Sequence, residues 1–184
     1  MKKLLIITGD LAVGKSTFAK KLSKKYDIAY FYKDVIKEVL ADTIGFESKE
    51  DSRGFSIVAV KLLSEIFVEF AKHNLPIILE SNFHEDEIER LHNLANELSY
   101  DVLTLDIYGD SNILFKRFIN RRDKEKRHPI HLANTMNDYE GFEKYHKNSR
   151  SIKLLGNVIK VNANDFSYQE DEKLLKKIEQ FLSI

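Results

Sequence analysis

One segment near the start of the chain has residue types and a spacing suited to polyphosphate binding. The stretch Gly9-Asp-Leu-Ala-Val-Gly14-Lys15-Ser16 matches the pattern G-x-x-x-x-G-K-[ST] at every fixed position. Glycines let the backbone approach a phosphate, and the helix N-terminus that follows adds unpaired amides and positive partial charge. We expect Lys15 to reach the β- and γ-phosphates of a nucleoside triphosphate and the Ser16 hydroxyl to ligate Mg²⁺. The residues predicted to bind nucleotide here are Gly9, Asp10, Leu11, Ala12, Val13, Gly14, Lys15, Ser16 and Thr17.

Two further sets of polar residues follow predicted strands. Asp34 and Lys37 come after the second strand, and Glu80 and Asn82 come at the end of the third. A carboxylate at a strand end near a γ-phosphate can orient and deprotonate an alcohol during phosphoryl transfer. Asp34 is equally suited to capping a helix, and Glu80 to being an ordinary strand-end carboxylate, so these alternatives stay open.

A basic stretch lies in the second half of the chain. It contains Arg117, Arg121 and the run Arg127-His-Pro-Ile-His131. Arginines on a closing segment can neutralise the charge of the transferred phosphoryl group and exclude water. A solvated helix face has the same composition, with Asp123 and Glu125 as local partners. Asn162 and Asn164, within residues 161–164, have side chains that can either bind the edge of an adenine base or form a turn.

The elements that must position these residues alternate between strand and helix. Apolar and β-branched runs predict strands at residues 2–8, 28–33, 75–79, 101–108 and 157–161. Spacings of three and four predict helices at residues 15–25, 34–42, 54–74, 84–98, 110 or 111 to about 122, and 132–155, and a last one after a capping box at 167–170. Residues 43–53 are predicted as a surface loop. The alternation indicates an α/β fold with its site at the carboxyl ends of the strands.

Composition limits the possible functions. The 184 residues suit a single domain over residues 1–184, and 29 basic against 29 acidic side chains give a net charge of zero. This balance excludes a generally basic nucleic-acid coat, although not a local basic patch. The absence of cysteine excludes disulfides, thiolate metal sites and a cysteine nucleophile. No apolar run is long enough to predict a membrane span or a signal peptide, so we expect a cytoplasmic protein.

These motifs together resemble the small P-loop kinases with the adenylate kinase-like arrangement. Within them the sequence is most similar to the AAA_33-type group, which includes chloramphenicol phosphotransferase, zeta toxin-like and polynucleotide kinase-like proteins. Besides the phosphate loop, Lys33-Asp34-Val-Ile-Lys37 resembles the family's D-x-x-[RK], and Ile77-Ile-Leu-Glu80-Ser-Asn82 places Glu80 where members commonly have Asp. Arg117-x-x-x-Arg121 and R-H-P-I-H resemble the lid, with Ile130 in place of a glycine.

The resemblance implies a P-loop NTPase three-layer sandwich with a five-stranded, mainly parallel sheet and a lid at about residues 121–135. It implies an ATP-dependent phosphotransferase that moves the γ-phosphate of Mg-ATP to a hydroxyl of a small molecule or nucleoside. The implied catalytic residues are Lys15, Asp34 and Arg121, and the implied additional nucleotide contacts are Arg117 and Arg121. The implied acceptor contacts are Asp34, Lys37, Glu80, Asn82 and Arg127, and the implied Mg²⁺ ligands are Ser16 and Glu80, with the role of Glu80 open between metal and substrate.

Other functions remain to be weighed. A kinase of nucleic-acid 5′ ends is conceivable from the basic residues at 116–128, although the zero net charge argues against it. A module that senses nucleotide without catalysis is a second alternative. Asp51-Ser-Arg-Gly54 has the D-x-x-G form of a GTPase switch, but it lies in a polar stretch and N-K-x-D is absent. The sequence gives no indication of oligomeric state.

Overall fold

The computed structural model describes residues 2–125, 127–131 and 136–183. Within these residues five strands form one parallel sheet in the order β2-β3-β1-β4-β5. The strands are β1 (Lys3–Gly9), β2 (Ala29–Tyr32), β3 (Ile77–Glu80), β4 (Asp101–Tyr108) and β5 (Asn157–Asn162). The helices are α1 (Lys15–Tyr26), α2 (Lys33–Ile44), α3 (Lys49–Lys72), α4 (Glu85–Glu97), α5 (Ser111–Lys124), α6 (Tyr139–Arg150) and α7 (Glu172–Leu182). In the described part of the chain, no helix is both long and apolar enough to cross a bilayer.

The central strand β1 is buried on both faces, which explains its unbroken run of leucine and isoleucine. Leu5 and Ile7 face a cluster that includes Phe18 of α1 and Ile178 of α7. Leu4 and Ile6 face an opposite cluster that includes Phe67 of α3 and Leu91 of α4. The predicted three-layer α/β sandwich is therefore confirmed, and the sheet is entirely parallel.

Parallel pairing brings the functional motifs to one edge of the sheet. In the register of β1 with β3, Ile7 lies opposite Glu80, and in that of β2 with β3, Tyr32 lies opposite Glu80. The phosphate loop follows β1, and Asp34 follows β2, at this same carboxyl edge. The parallel sheet therefore places the candidate site at its carboxyl edge, as we expected from the sequence.

The predicted loop at residues 43–53 is wrong at both ends, because α2 continues to Ile44 and α3 begins at Lys49. A capping box starts α3: the Asp51 amide donates to Ser48 Oγ at 3.0 Å, and Asp51 Oδ2 accepts from the Ser48 amide at 2.9 Å. The first turn of α3 is polar because it is exposed, which concealed its helical period. Asp51 serves this cap, and its D-x-x-G pattern therefore has a local structural role.

Three other local predictions need correction. The helix predicted at 132–155 is α6 alone, begun by Asp138, whose side chain accepts from the Gly141 amide; residues 132–135 lie outside the described part. Residues 167–170 form a 3₁₀ turn instead of a capping box, and Asp171 caps α7 through the amides of Lys173 and Leu174. Asp34 is not a helix cap either, because α2 already begins at Lys33.

Candidate active site

The phosphate loop presents its backbone toward the space above β1. Gly14 has a φ of +89°, which favours glycine, and a Cβ there would crowd the Phe166 ring at 3.0 Å. Gly14 also lacks a side chain to cap α1, and the first intrahelical bond runs from the Phe18 amide to the Gly14 carbonyl at 3.0 Å. The amides at positions 15–17 are therefore left for an anion. This arrangement fits a polyphosphate.

Lys15 lies folded over the loop. Its side chain is buried, and Nζ donates to the carbonyls of Gly9 at 3.1 Å and Asp10 at 2.6 Å. Burial lowers the pKa of Lys15 to about 8, and the nearby carboxylates of Glu80, Asp10 and Asp34 oppose this shift. At neutral pH the ammonium group is therefore charged and held beside the amides that follow Gly14.

Glu80 joins the end of β3 to the phosphate loop. One of its carboxylate oxygens accepts from the Ser16 hydroxyl at 2.9 Å and from the Tyr30 hydroxyl at 2.8 Å. Burial and the Glu80 carboxylate raise the pKa of Tyr30, so the phenol remains a donor. The described residues contain no group of three or more His, Cys, Asp or Glu arranged around a metal position. Adjacent hydroxyl and carboxylate oxygens fit Mg²⁺, which takes one or two protein ligands and completes its shell with phosphate and water.

One cavity of about 110 Å³ brings most of the predicted site residues together. Asp34 lies in its wall, with Oδ2 at 3.5 Å from a guanidinium nitrogen of Arg127. Arg121 reaches the same cavity from α5. The residues that line it are Leu11, Ala12, Val13, Gly14, Lys15, Ser16, Thr17, Lys33, Asp34, Glu80, Ser81, Asn82, Arg121 and Arg127.

Two residues predicted for the site have side chains elsewhere. The Asp10 carboxylate is fully buried and faces α6, where Oδ1 lies 2.8 Å from Arg150 Nε and Oδ2 lies 3.1 Å from His146 Nε2. Only its backbone carbonyl contributes to the phosphate loop, through Lys15. Lys37 is buried in α2 outside the cavity lining, and burial together with Lys33 lowers its pKa to about 8.

Arg117 fixes the connection after β5. Its guanidinium donates to the carbonyls of Ala163 and Asn164 and stacks on the Phe166 ring, 3.8 Å from the centroid. Another cavity, of about 490 Å³, is lined by Arg117, Phe166 and Gln169. Gly14 and Arg121 line both this cavity and the phosphate-loop cavity. Sequence reasoning missed Phe166 and Gln169, because nothing in their spacing marks them.

The Asn residues after β5 are already used in turns. The side chain of Asn164 accepts from the Asp110 amide at 2.7 Å, and that of Asn162 accepts from the Asn164 amide at 2.9 Å. The side-chain contacts of Asn162 and Asn164 are therefore those of a turn. The flat surface beside the phosphate loop is the ring of Phe166.

Residues 127–131, here termed the docked segment, lie against α2 and α3. His131 Nε2 lies 2.6 Å from Glu38, and His128 Nε2 lies 3.0 Å from Asp42. Together with Asp34, these carboxylates recur every four residues along α2, so they form one acidic face. That spacing was the signal in the sequence that could have identified the docking surface.

Ile130 stands where the family that the sequence resembles has glycine, and its contacts account for the larger side chain. Its side chain is almost fully buried, and its carbonyl accepts from the buried Ser52 hydroxyl of α3 at 2.6 Å. The docked segment is therefore anchored by an apolar side chain as well as by charge.

The fold and the phosphate-loop geometry define a P-loop protein with the architecture of small kinases. The family model AAA_33, described as an AAA domain, matches residues 4–143. The chain therefore belongs to the AAA_33 family, as the sequence motifs indicated. Among curated proteins, none matches the sequence.

Solved structures share this architecture over nearly the whole chain. A candidate kinase from Chloroflexus aurantiacus J-10-fl is 25% identical, with a TM-score of 0.78 and 97% of each chain covered. A gluconokinase from Sinorhizobium meliloti 1021 is 11% identical, with a TM-score of 0.60 and coverage of 99% of this chain and 96% of that one. A shikimate kinase from Aquifex aeolicus is 20% identical, with a TM-score of 0.53 and coverage of 98% and 96%. The latter two likenesses establish the fold alone.

Proposed function

We propose that this protein is an ATP-dependent kinase that transfers the γ-phosphate of Mg-ATP to a hydroxyl group of a small molecule or nucleoside. The observation that carries the proposal is the single cavity in which Lys15, Asp34 and Arg121 meet. Lys15 lies in the helix after β1, Asp34 in the helix after β2, and Arg121 in α5. Only the folded chain brings them together. A phosphate cradle, a carboxylate and a cation are the parts that phosphoryl transfer requires.

The roles follow from position. Lys15 and the amides at 15–17 bind the β- and γ-phosphates, and Asp34 accepts the proton of the acceptor hydroxyl. Arg121 and Arg127 neutralise charge on the transferred phosphoryl group. Because Arg127 now lies beside Asp34, it also orients the carboxylate toward the cavity. The reaction is in line and depends mainly on positioning and electrostatics.

Magnesium has a plausible pair of protein contacts in Ser16 and Glu80. When bound there, Mg²⁺ supplies positive charge to the β- and γ-phosphates. Glu80 is longer than the aspartate common in the family, so we propose that it acts through a metal-bound water or orients Ser16, which it already contacts at 2.9 Å.

The nucleotide base has a matching space. We place adenine in the cavity of about 490 Å³ beside Arg117 and Phe166, because an aromatic face can stack on a purine. The proposed lid at about 121–135 includes the end of α5 and the docked segment, and the proposed catalytic unit is one domain over residues 1–184. Use of ATP as the donor would place the reaction in the cytoplasm.

Asp34→Asn tests the kinase proposal. Removing the proton acceptor while keeping the shape is expected to lower kcat by about 10²–10⁴-fold and to leave the Kd for Mg-ATP nearly unchanged. The measurement is transfer from γ-labelled ATP to a panel of alcohols, sugars and nucleosides, with calorimetry for binding. Asp86→Asn is the control, since Asp86 is exposed on α4 and lies outside this cavity and the docked segment. Full transfer by Asp34→Asn would refute the assigned base.

The two alternative functions predict different results. A nucleotide-sensing module would bind Mg-ATP and show no transfer to any acceptor, in the wild type as in Asp34→Asn. A nucleic-acid kinase requires free cations, yet Arg117 is held by carbonyls after β5, Arg122 by Met136 and Asn137, and Arg127 by Asp34. These engaged arginines support a small acceptor, while Lys116 and Lys124 of the same stretch are exposed, and RNA or DNA binding that weakens with added salt would contradict the proposal.

A further inference from the structure

A third cavity, of about 990 Å³, lies next to the phosphate-loop cavity. Its walls come from the connection after β3, from the last turns of α6 and the residues after it, and from β4 and β5. Asn82 lines both cavities, and its side-chain amide donates to the Tyr145 hydroxyl at 3.3 Å. The two cavities therefore meet at Asn82, and a path past this side chain would join Asp34 to the larger space.

The walls of this larger cavity are rich in rings and apolar side chains. Tyr108 and Tyr145 supply aromatic surface, and an apolar floor completes it. The floor residues are Ile152, Leu154 and Val158. The neutral donors and acceptors in the wall include Thr8, Asn82, Asn148, Ser149 and Ser151. Ligand sites of this size commonly combine mostly apolar walls with a few orienting polar groups.

The charges in the wall argue against an anionic ligand. The main cation, Arg150, already faces two buried carboxylates, with Nε at 2.8 Å from Asp10 and Nη1 at 2.9 Å from Asp106. The remaining charged residues, Glu85 and Lys160, are exposed and opposite in sign. Recognition of a carboxylate or phosphate usually relies on an arginine free for paired hydrogen bonds. Here Arg150 is ion-paired with Asp106 in the wall and with Asp10 outside it, so its charge is balanced before any ligand binds.

We propose that this cavity binds the body of the phosphate acceptor, and that the acceptor is a neutral alcohol carrying an aromatic or other apolar ring. The proposal rests on the kinase function, since it places the hydroxyl at Asp34. In the transfer, the hydroxyl oxygen forms a bond to the γ-phosphorus while the bond from that phosphorus to the β–γ bridging oxygen breaks. The hydroxyl proton passes to Asp34, and ADP leaves with the electron pair of the bridging oxygen.

Filling the cavity tests the assignment. Val158→Trp adds a ring to the cavity from β5, and Leu154→Trp fills it from the segment after α6 and guards against misfolding of the strand. Val39→Trp is the control, because Val39 is 58% exposed on α2 and lies outside the cavity. Thermal melting first establishes that each variant folds. The probes are trifluoromethyl-labelled aryl alcohols and aryl carboxylates with the same rings, followed by ¹⁹F NMR.

The expected result is binding of the aryl alcohols to the wild type and to Val39→Trp. Both cavity-filling variants are expected to weaken this binding by about tenfold or more, which corresponds to about 1.4 kcal/mol. The carboxylates are expected to bind more weakly than their matched alcohols. Alcohol binding that is indifferent to both cavity variants, preference for the carboxylates, or no binding by any probe would each overturn the proposal.

Mg-ATP titration separates this proposal from the kinase function. A protein that binds Mg-ATP and transfers phosphate to a sugar or an anionic alcohol, but binds no aryl alcohol, retains the kinase function and loses the acceptor assignment. A protein that binds aryl alcohols at this cavity, but neither binds Mg-ATP nor transfers phosphate, retains the cavity assignment as a binding site and loses the kinase function.

Discussion

The phosphate loop and the docked segment, two parts of the same cleft, are built in opposite ways. In the loop, Lys15 bonds to the carbonyl of Asp10, five positions earlier in the chain. In the docked segment, His131 meets Glu38 across 93 positions, and Ile130 meets Ser52 across 78. The first region is therefore specified by consecutive residues, and the second by the packing of distant elements.

The difference extends to exposure. Lys15 is 8% exposed, whereas the Asp34 and Asp42 side chains that meet the docked segment are 46% and 73% exposed. Buried groups with several fixed partners resist rearrangement, while exposed ion pairs contribute little and exchange partners easily. We infer that the loop is rigid for a polyphosphate, and that the docked segment, in which Ile130 and His131 are buried, is adjustable only at its exposed ion pairs with Asp34 and Asp42.

Of the changes in these two regions, loss of the Lys15 side chain is expected to lower nucleotide binding and activity most. Lys15→Ala removes the cation over the loop, and kcat/KM for Mg-ATP is expected to fall by about 10²–10³-fold, with weaker nucleotide binding. Lys24→Ala, on the exposed face of the same helix, is the control and is expected to behave as the wild type. Steady-state kinetics and calorimetry measure both quantities; an unchanged ATP titration would refute the phosphate-loop assignment.

Asp10→Asn tests whether the loop also depends on a distant element. The change keeps the shape but removes one of the two carboxylates facing Arg150, and we expect a loss of about 1–3 kcal/mol in the free energy of unfolding. Denaturant unfolding measures it. Asp101→Asn breaks the exposed pair with Lys3 and is expected to cost about 0–1 kcal/mol. Equal losses would show that α6 does not support the loop.

The pH dependence of nucleotide binding reports on Lys15 itself. Because its pKa in the free protein is lowered to about 8, a proton must be taken up on binding above that pH. The Kd for Mg-ATP is expected to be flat just below pH 8 and to rise by up to about tenfold per pH unit above it. Calorimetry at about pH 9 in buffers of different ionisation enthalpy measures the proton uptake. A Kd that stays constant through this range would contradict the assigned role.

The same pKa has a consequence for stability with a definite sign. The folded-state pKa of Lys15 is below the ordinary value of 10.5, so between about pH 8 and 10.5 the unfolded chain binds more protons. The contribution of Lys15 to the free energy of unfolding is therefore expected to increase as pH rises through that window.

Ser52→Ala is expected to have the smallest effect. It removes the hydrogen bond to the buried Ile130 carbonyl, which should cost about 1 kcal/mol and raise hydrogen exchange mainly in the docked segment. Ser56→Ala is the control, since that hydroxyl donates to the Ser52 carbonyl within α3. Protection lost equally in the phosphate loop and the docked segment would show that the two regions unfold together.

The parts predicted well from sequence are those with local or periodic signals. Strand β4 was predicted with its observed ends, Asp101–Tyr108, because both faces of a central parallel strand are buried and its apolar residues run together. The start of α3 was missed because its first turn is polar, and the end of α6 was missed because apolar residues, Ile152, Leu154 and Leu155, continue past Arg150.

The predictions about the site residues divide in the same way, into those with a local signal and those without one. The predicted grouping of Lys15, Ser16, Asp34 and Arg121 around one cavity agrees with their placement, because each follows a recognisable motif. Asp10 was assigned by its place in the motif, yet its side chain faces α6. Phe166 and the larger cavity carried no signal at all, because a cavity is formed by what several elements leave unfilled.

The sequence by itself determined the phosphate loop, the alternation of strands and helices, and hence the edge of the sheet where the candidate site lies. These depend on backbone geometry and burial period, which act over a few neighbouring residues. Only the tertiary structure decided which carboxylates meet the docked segment, that Arg150 faces two acids, and which cavities remain between the elements. These depend on distances between side chains remote in the chain, which no local spacing encodes.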